Sequence, residues 1–240
     1  MTRTRIEEPE RLEPSKRKKP VDAPNMDAVR ARLKEQGVAL EPELGLAEKK
    51  GHAANTVYIQ VNGPAGTSFG RALISYDPAK GVLQDLKHEM NHVMDYRTGK
   101  MPPETVTAQD AKQFAELQAK TPKELLAIAE SMPRPKKPPI ENAKTLLRGY
   151  VAEVRNNLRD VEALSSLKAG YVETSKSFAK QYYGILEQVV KTGFGGQLNE
   201  AQRLEAKQYI RQFIEASFPE LRDAFVAAVP EQKDAWKFLE

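Results

Sequence analysis

The segment Leu86-Lys87-His88-Glu89-Met90-Asn91-His92-Val93-Met94-Asp95-Tyr96 constrains the fold of this chain more than any other stretch. Leu83, Leu86, Met90, Val93 and Met94 recur at three- and four-residue intervals, the period of an amphipathic helix with one face against a core. His88 and His92 stand four apart, so on such a helix their rings project from one face, with Glu89 one step round. The segment therefore demands a helix, a layer to cover its apolar side, and a polar side where two imidazoles and a carboxylate meet. The chain has only 3 histidines, and two of them at this spacing with Glu after the first read as an HExxH metal motif. In that chemistry the two imidazoles grip one Zn²⁺, and the glutamate takes a proton from a water on the metal.

The motif helix is expected from about Gly81 to Arg97, with Gly99 ending it. Upstream, residues 56–61 and 71–76 alternate as strands, separated by a turn at 62–66. Asp27 to Gln36 reads as a short helix stopped by Gly37. Downstream, Thr107-x-x-Asp110 can cap a helix carrying Phe114 and Leu117, and Thr121-Pro122-Lys123-Glu124 is a capping box for another that ends near Met132. Residues 133–139 are a proline-rich connector. A long helix is expected over 141–167, with Leu147, Tyr150, Val151, Val154, Leu158 and Val161 as its apolar stripe. Further helices are expected at 175–191, after the capping box Asn199-Glu200-Ala201-Gln202, and from Pro219 onward.

The expected fold is α+β and mostly helical: a small sheet beside the HExxH helix, with additional C-terminal helices. Residues 1–25 are charged, basic at Lys16–Lys19 and almost free of apolar residues, so they are expected to be a disordered tail. Residues 26–168 should form the core, with a helical insertion at about 103–140, and residues 169–240 a C-terminal helical region packed on it. At 40% hydrophobic and 29% charged residues the chain fits a soluble globular protein, and no apolar run approaches a membrane span. No apolar stretch near the start resembles a secretory signal, so the expected location is cytoplasmic as made, with export without a cleavable signal peptide as the alternative. The net charge of +4 is small, and the basic clusters at 16–19 and 134–137 read as a solvated tail and linker, so nucleic acid is not an expected partner.

With no cysteine in the chain, any zinc site must be built from His, Asp or Glu. A catalytic zinc takes three protein ligands and keeps one position open. No histidine follows His92, so the third ligand should be a carboxylate. Wound at about 100° per residue, the long helix puts Glu153 about 100° from the centre of its apolar stripe, beside the core and not facing bulk water. Asp160 and Glu162 rank below it. Asn157 or Asp160 is placed to orient Glu153 or a metal-bound histidine from behind. Asp95, one turn after His92, is a candidate for the same supporting role or a partner for Arg97 or Arg155.

Strands leading into an HExxH helix resemble the zincin metallopeptidases. That resemblance implies an edge strand beside the helix that holds an extended substrate by backbone hydrogen bonds. The run His88-to-Gly99, with Asp-Tyr-Arg-Thr-Gly after the motif, and the later Glu153-Val154-Arg155 triplet are similar to the mitochondrial inner-membrane-associated metalloproteases that process an ATP synthase subunit. Those pair HExxHxxD with a downstream Ser-Glu-Ile-Arg-Ala segment, which implies Glu153 as the ligand here. The match covers two short blocks, 86–99 and 149–157; the long gap between them and the absence of cysteine depart from that family. The chain resembles zincin-like toxin and effector domains of bacteria and phages, which carry similarly sparse motifs on divergent helical scaffolds, at least as closely.

The expected function is thus a zinc-dependent metalloendopeptidase acting on a protein or peptide, with Glu89 as general base and His88, His92 and Glu153 holding Zn²⁺. Tyr150, Tyr96, His52 and Arg155 are candidates to stabilise the oxyanion, and Arg97 with Arg155 would form a basic rim favouring acidic residues near the cut. One alternative is an exported bacterial or phage effector or toxin with the same chemistry and an inhibitory or delivery partner. The other is a non-catalytic zinc-binding helical scaffold that binds nucleic acid.

Overall fold

The computed structural model describes residues 26–42, 54–77, 83–133, 137–164 and 169–240. The N-terminal tail, His52 and most of the second basic cluster lie outside them.

Helix α1 (Met26–Glu35) ends at Gly37, whose φ of +70° is the left-handed turn that lets strand β1 (Val38–Glu41) run back alongside it. Strands β2 (Ala54–Asn62) and β3 (Ser68–Tyr76) are the antiparallel pair expected from their alternation, joined by a single 3₁₀ turn at Pro64–Gly66. Neither is an edge. β1 pairs parallel to β3, and β4 (Glu104–Thr107) pairs parallel to β2, giving the order β1-β3-β2-β4. The edge strands are therefore two short segments of four residues each.

Alternation along β2 and β3 sends side chains to two opposite cores. On one face Tyr58, Ala72, Ile74 and Tyr76 pack with Leu33, Leu40, Leu86 and Val93, so helix α2 (Leu83–Arg97), which carries the HExxH motif, lies across the sheet. On the other, Ile59, Val61, Leu73 and Val106 meet Leu117, Leu125, Leu126 and Ala129 of helices α3 (Ala111–Gln118) and α4 (Pro122–Ser131). The segment expected to be a helical insertion thus contributes a strand to the sheet and two helices to its second face. Helix α3 is capped by Asp110, whose side chain accepts from the Gln113 amide; Thr107 belongs to β4 instead. The capping box at Thr121 and Glu124 starts α4 as expected.

Helix α5 (Pro139–Leu164) is about 39 Å long and buried on two sides. Its stripe of Leu147, Val151, Val154 and Leu158 packs with helices α6 (Ala169–Gly196), α7 (Glu200–Ser217) and α8 (Leu221–Ala228) into the largest core of the molecule. Tyr183 is at its centre, stacked 4.6 Å from Phe225, edge-on 5.0 Å from Trp236, and accepting the Trp236 amide at its hydroxyl. The opposite side of α5 runs antiparallel to α2, and the candidate site lies between these two helices. Among the described residues no helix is long and apolar enough to cross a membrane.

Candidate metal centre

Helix α2 presents His88 and His92 toward α5 and keeps Leu86 and Val93 against the sheet, so the two residue classes of the motif fall on two different partners. Across the gap, α5 supplies Glu153. Its Oε2 lies 3.3 Å from His88 Nε2, its Oε1 lies 3.3 Å from His92 Nε2, and the two ring nitrogens are 3.2 Å apart. One ligand atom from each of the three residues falls within 4.8 Å of the others, so this group could hold a metal ion. The donor chemistry fits one: two imidazoles and one carboxylate converge, and the rest of each ring is held from behind.

His88 Nδ1 lies 2.8 Å from Asp160 Oδ2, and Asp160 Oδ1 accepts from Asn91 Nδ2 at 3.4 Å. Asp160 thus supports His88, as its place on the helix suggested. His92 is supported by a residue that sequence reading missed. Asn156 Nδ2 lies 3.2 Å from His92 Nδ1 and donates to Asp95 Oδ2 at 3.2 Å. Asp95 in turn accepts from Arg155 Nη1 at 2.6 Å. Asn157 instead donates from its Nδ2 to the Glu153 main-chain carbonyl at 2.8 Å, fastening the turn of helix from which Glu153 projects. Asp95 therefore acts through Asn156, and its cationic partner is Arg155. Arg97 instead donates to the Gln36 carbonyl at the end of α1.

The miss at Asn156 has a geometric cause. About 100° per residue puts this side chain roughly opposite the apolar stripe of α5, where an isolated helix would face water. Because α5 is covered by α2 on that side, Asn156 is 0% exposed, as is Ala152 one turn earlier. A buried-type alanine and Asp160 on the same meridian were the signal in the sequence for a second covered face.

The charges settle accordingly. Burial disfavours the ionised rings, but the hydrogen bonds to Asp160 and Glu153 outweigh it and hold His88 well above its ordinary value. His92 is raised too, burial being outweighed by the charge and hydrogen bond of Glu153. Glu153 pays for its burial through the two rings and is held far below the usual carboxylate range. Glu89 is the opposite case: burial pushes its carboxyl up, against the pull of both histidines. Thr56 on β2 donates to the Glu89 main-chain carbonyl at 3.1 Å, which places the motif helix on the sheet at the level of the site.

Tyr96 stacks on Tyr58 with ring centroids 5.7 Å apart and planes 6° from parallel. Burial, followed by the charges of Glu89 and Glu104, pushes its hydroxyl up to about 12, so it stays protonated. Tyr150 packs against the C-terminal core, its ring 6.5 Å from that of Tyr182. Arg155 is 5% exposed and committed to Asp95, which removes it as an oxyanion donor. With Arg97 held at Gln36, the expected basic rim does not form, and the preference for acidic substrate residues loses its basis. No protein-family model, curated protein or solved structure matches the chain.

Proposed function

We propose that the chain is a zinc-dependent metalloendopeptidase of zincin type, with His88, His92 and Glu153 holding Zn²⁺ and Glu89 as general base. The observation that carries this reading is the convergence of the three ligand atoms within 4.8 Å beside a buried glutamate. A bound zinc ion supplies a Lewis acid that polarises a peptide carbonyl and acidifies a water. Glu89, its carboxyl raised by burial, accepts the proton of that water and returns it to the leaving amine. Tyr96 lies seven residues after Glu89 on the same side of α2, and its protonated hydroxyl is the donor best suited to a developing oxyanion. Three ligands favour a catalytic ion over a structural one, and the described residues add no fourth ligand atom to the group. Among the described residues no strand pairs with the outer edge of β4, and Glu104 at its start lies close enough to act on Tyr96, so this edge suits an extended substrate strand.

Elemental analysis and casein hydrolysis on the wild type and four variants test the reading. About one zinc per chain is expected in the wild type, Glu89→Gln and Tyr96→Phe, and none in His88→Ala and Glu153→Ala. Only the wild type should cleave at full rate, with Glu89→Gln silent and Tyr96→Phe reduced about 100-fold in kcat. A wild-type chain that takes up no zinc on reconstitution, or a Glu89→Gln variant that still cleaves, would overturn it.

A further inference from the structure

The side chains that support His92 do not stop at the two helices of the site. Arg155 Nη1 carries the bonds to Asp95 Oδ1 at 2.6 Å and to Asn156 Oδ1 at 3.4 Å. Its Nε is buried with no hydrogen-bond partner among the described residues. Hydrogen bonds at one nitrogen leave the plane of a guanidinium free to turn about that point. What fixes it is a ring: the Arg155 guanidinium carbon sits 4.4 Å from the centroid of Phe218, which is 0% exposed. Phe218 is the residue at which α7 ends, and its amide closes that helix on the Ile214 carbonyl. The Lys100 ammonium, 4.7 Å from the same ring, brings the segment after α2 to this point as well.

We infer that Phe218, from the C-terminal helices, is a positioning residue for the metal centre, acting on the His92 ring through Arg155, Asp95 and Asn156. This rests on the metal reading above. The C-terminal region then does more than complete a core: the end of α7 sets the plane of Arg155, Arg155 sets the carboxylate of Asp95, and Asp95 holds the carboxamide that meets His92 Nδ1. Supporting partners of a metal-bound histidine typically change metal affinity about 10- to 100-fold when lost. Phe218 stands further back, so about tenfold is expected from it.

The test compares Phe218→Leu, Phe218→Tyr and Phe225→Leu by zinc titration against a competing chelator, and by the imidazole ¹⁵N shifts of His92. Phe225 is a ring of the same core, equally buried, that touches Tyr183 and Trp236, so its loss controls for stability. Phe218→Leu is expected to weaken zinc about tenfold and to move the His92 shifts; Phe225→Leu should do neither, and Phe218→Tyr, which keeps the ring face, should restore both. Should Phe218→Leu fail to fold, Arg155→Lys serves as the second arm, keeping the charge beside Asp95 but giving up the planar face, and it should weaken zinc likewise. Zinc affinity within twofold of wild type in Phe218→Leu, with unmoved His92 shifts, would overturn the inference. If the wild type itself binds no zinc, the metal reading is what fails, and the His92 shifts in metal-free protein still decide for or against the Phe218 relay.

Discussion

His88 illustrates how the candidate metal centre titrates on its own. Its ring has a carboxylate at each nitrogen, Asp160 at 2.8 Å and Glu153 at 3.3 Å, and these favour the imidazolium form in the metal-free chain. A group whose folded value lies above its unfolded one contributes stability that is full below the unfolded value, about 6.5, and is lost as pH rises through the folded value. His92 acts in the same direction, and so does the raised Glu89 in a lower pH range. Glu153, held low, contributes stability above the ordinary carboxylate value of 4.5 and loses it only in strong acid. The metal-free chain should therefore melt at a lower temperature at about pH 9 than at about pH 6.5. Zinc uptake at the proposed centre should run the other way: the Nε2 atoms of His88 and His92 must release their protons to solvent before they can bind a metal, so affinity should climb across the same interval. Calorimetric titration with zinc in buffers of different ionisation enthalpy should register proton release at pH 7. A metal-free melting temperature that rises from pH 6.5 to 9 would contradict the doubly bonded imidazolium.

Between residue and whole molecule, α2 is held in register by the sheet beneath it. Tyr58 on β2 stacks under Tyr96, and a Cβ at Gly70 would collide with its hydroxyl oxygen and its ring. Gly70 is therefore a gap that the tyrosine fills. Gly70→Ala should displace the ring, destabilise the chain by about 1–3 kcal/mol in urea unfolding, and disturb Tyr96 beside the site. An alanine variant as stable as wild type would mean the Tyr58–Tyr96 stack can shift without cost. The same strands mark what sequence reading could reach. β2 and β3 each run nine residues and alternate between two cores, so their pattern is local and visible. β1 and β4 are four residues each, and their strand character comes from pairing with β3 and β2, which no local pattern records. His88, Glu89 and His92 were legible for the same local reason, and Glu153 and Asp160 because α5 has a clear period. Asn156 was not, because that period describes only the face of α5 turned to the C-terminal helices.

On the scale of the molecule, α5 is the element both halves share, and its cations are where they join. Lys144, Arg148 and Arg155 lie over Tyr209, Phe213 and Phe218 at 5.4, 5.0 and 4.4 Å. Arg148 also donates to the Lys100 carbonyl at 2.6 Å, so the chain leaving α2 toward β4 is fastened to the same helix. Arg155 is the buried member of this row, and its ion pair with Asp95, 1% exposed, ties α2 to α5. Removing one partner of such a pair strands the other charge: Arg155→Ala should cost about 3–5 kcal/mol, because Asp95 keeps its burial and loses its cation. Removing both charges together should be far milder, since apolar side chains of similar volume carry no desolvation penalty. Arg155→Met with Asp95→Leu should recover most of the lost stability. It should not recover zinc affinity, because the carboxylate that orients Asn156 is gone in the double variant as well. Urea unfolding and zinc titration on the same three proteins thus separate two roles of one ion pair. A double variant as unstable as Arg155→Ala would locate the loss in the contact with Phe218 and not in the stranded charge. One that regained stability and zinc affinity together would mean that His92 keeps its orientation without Asp95.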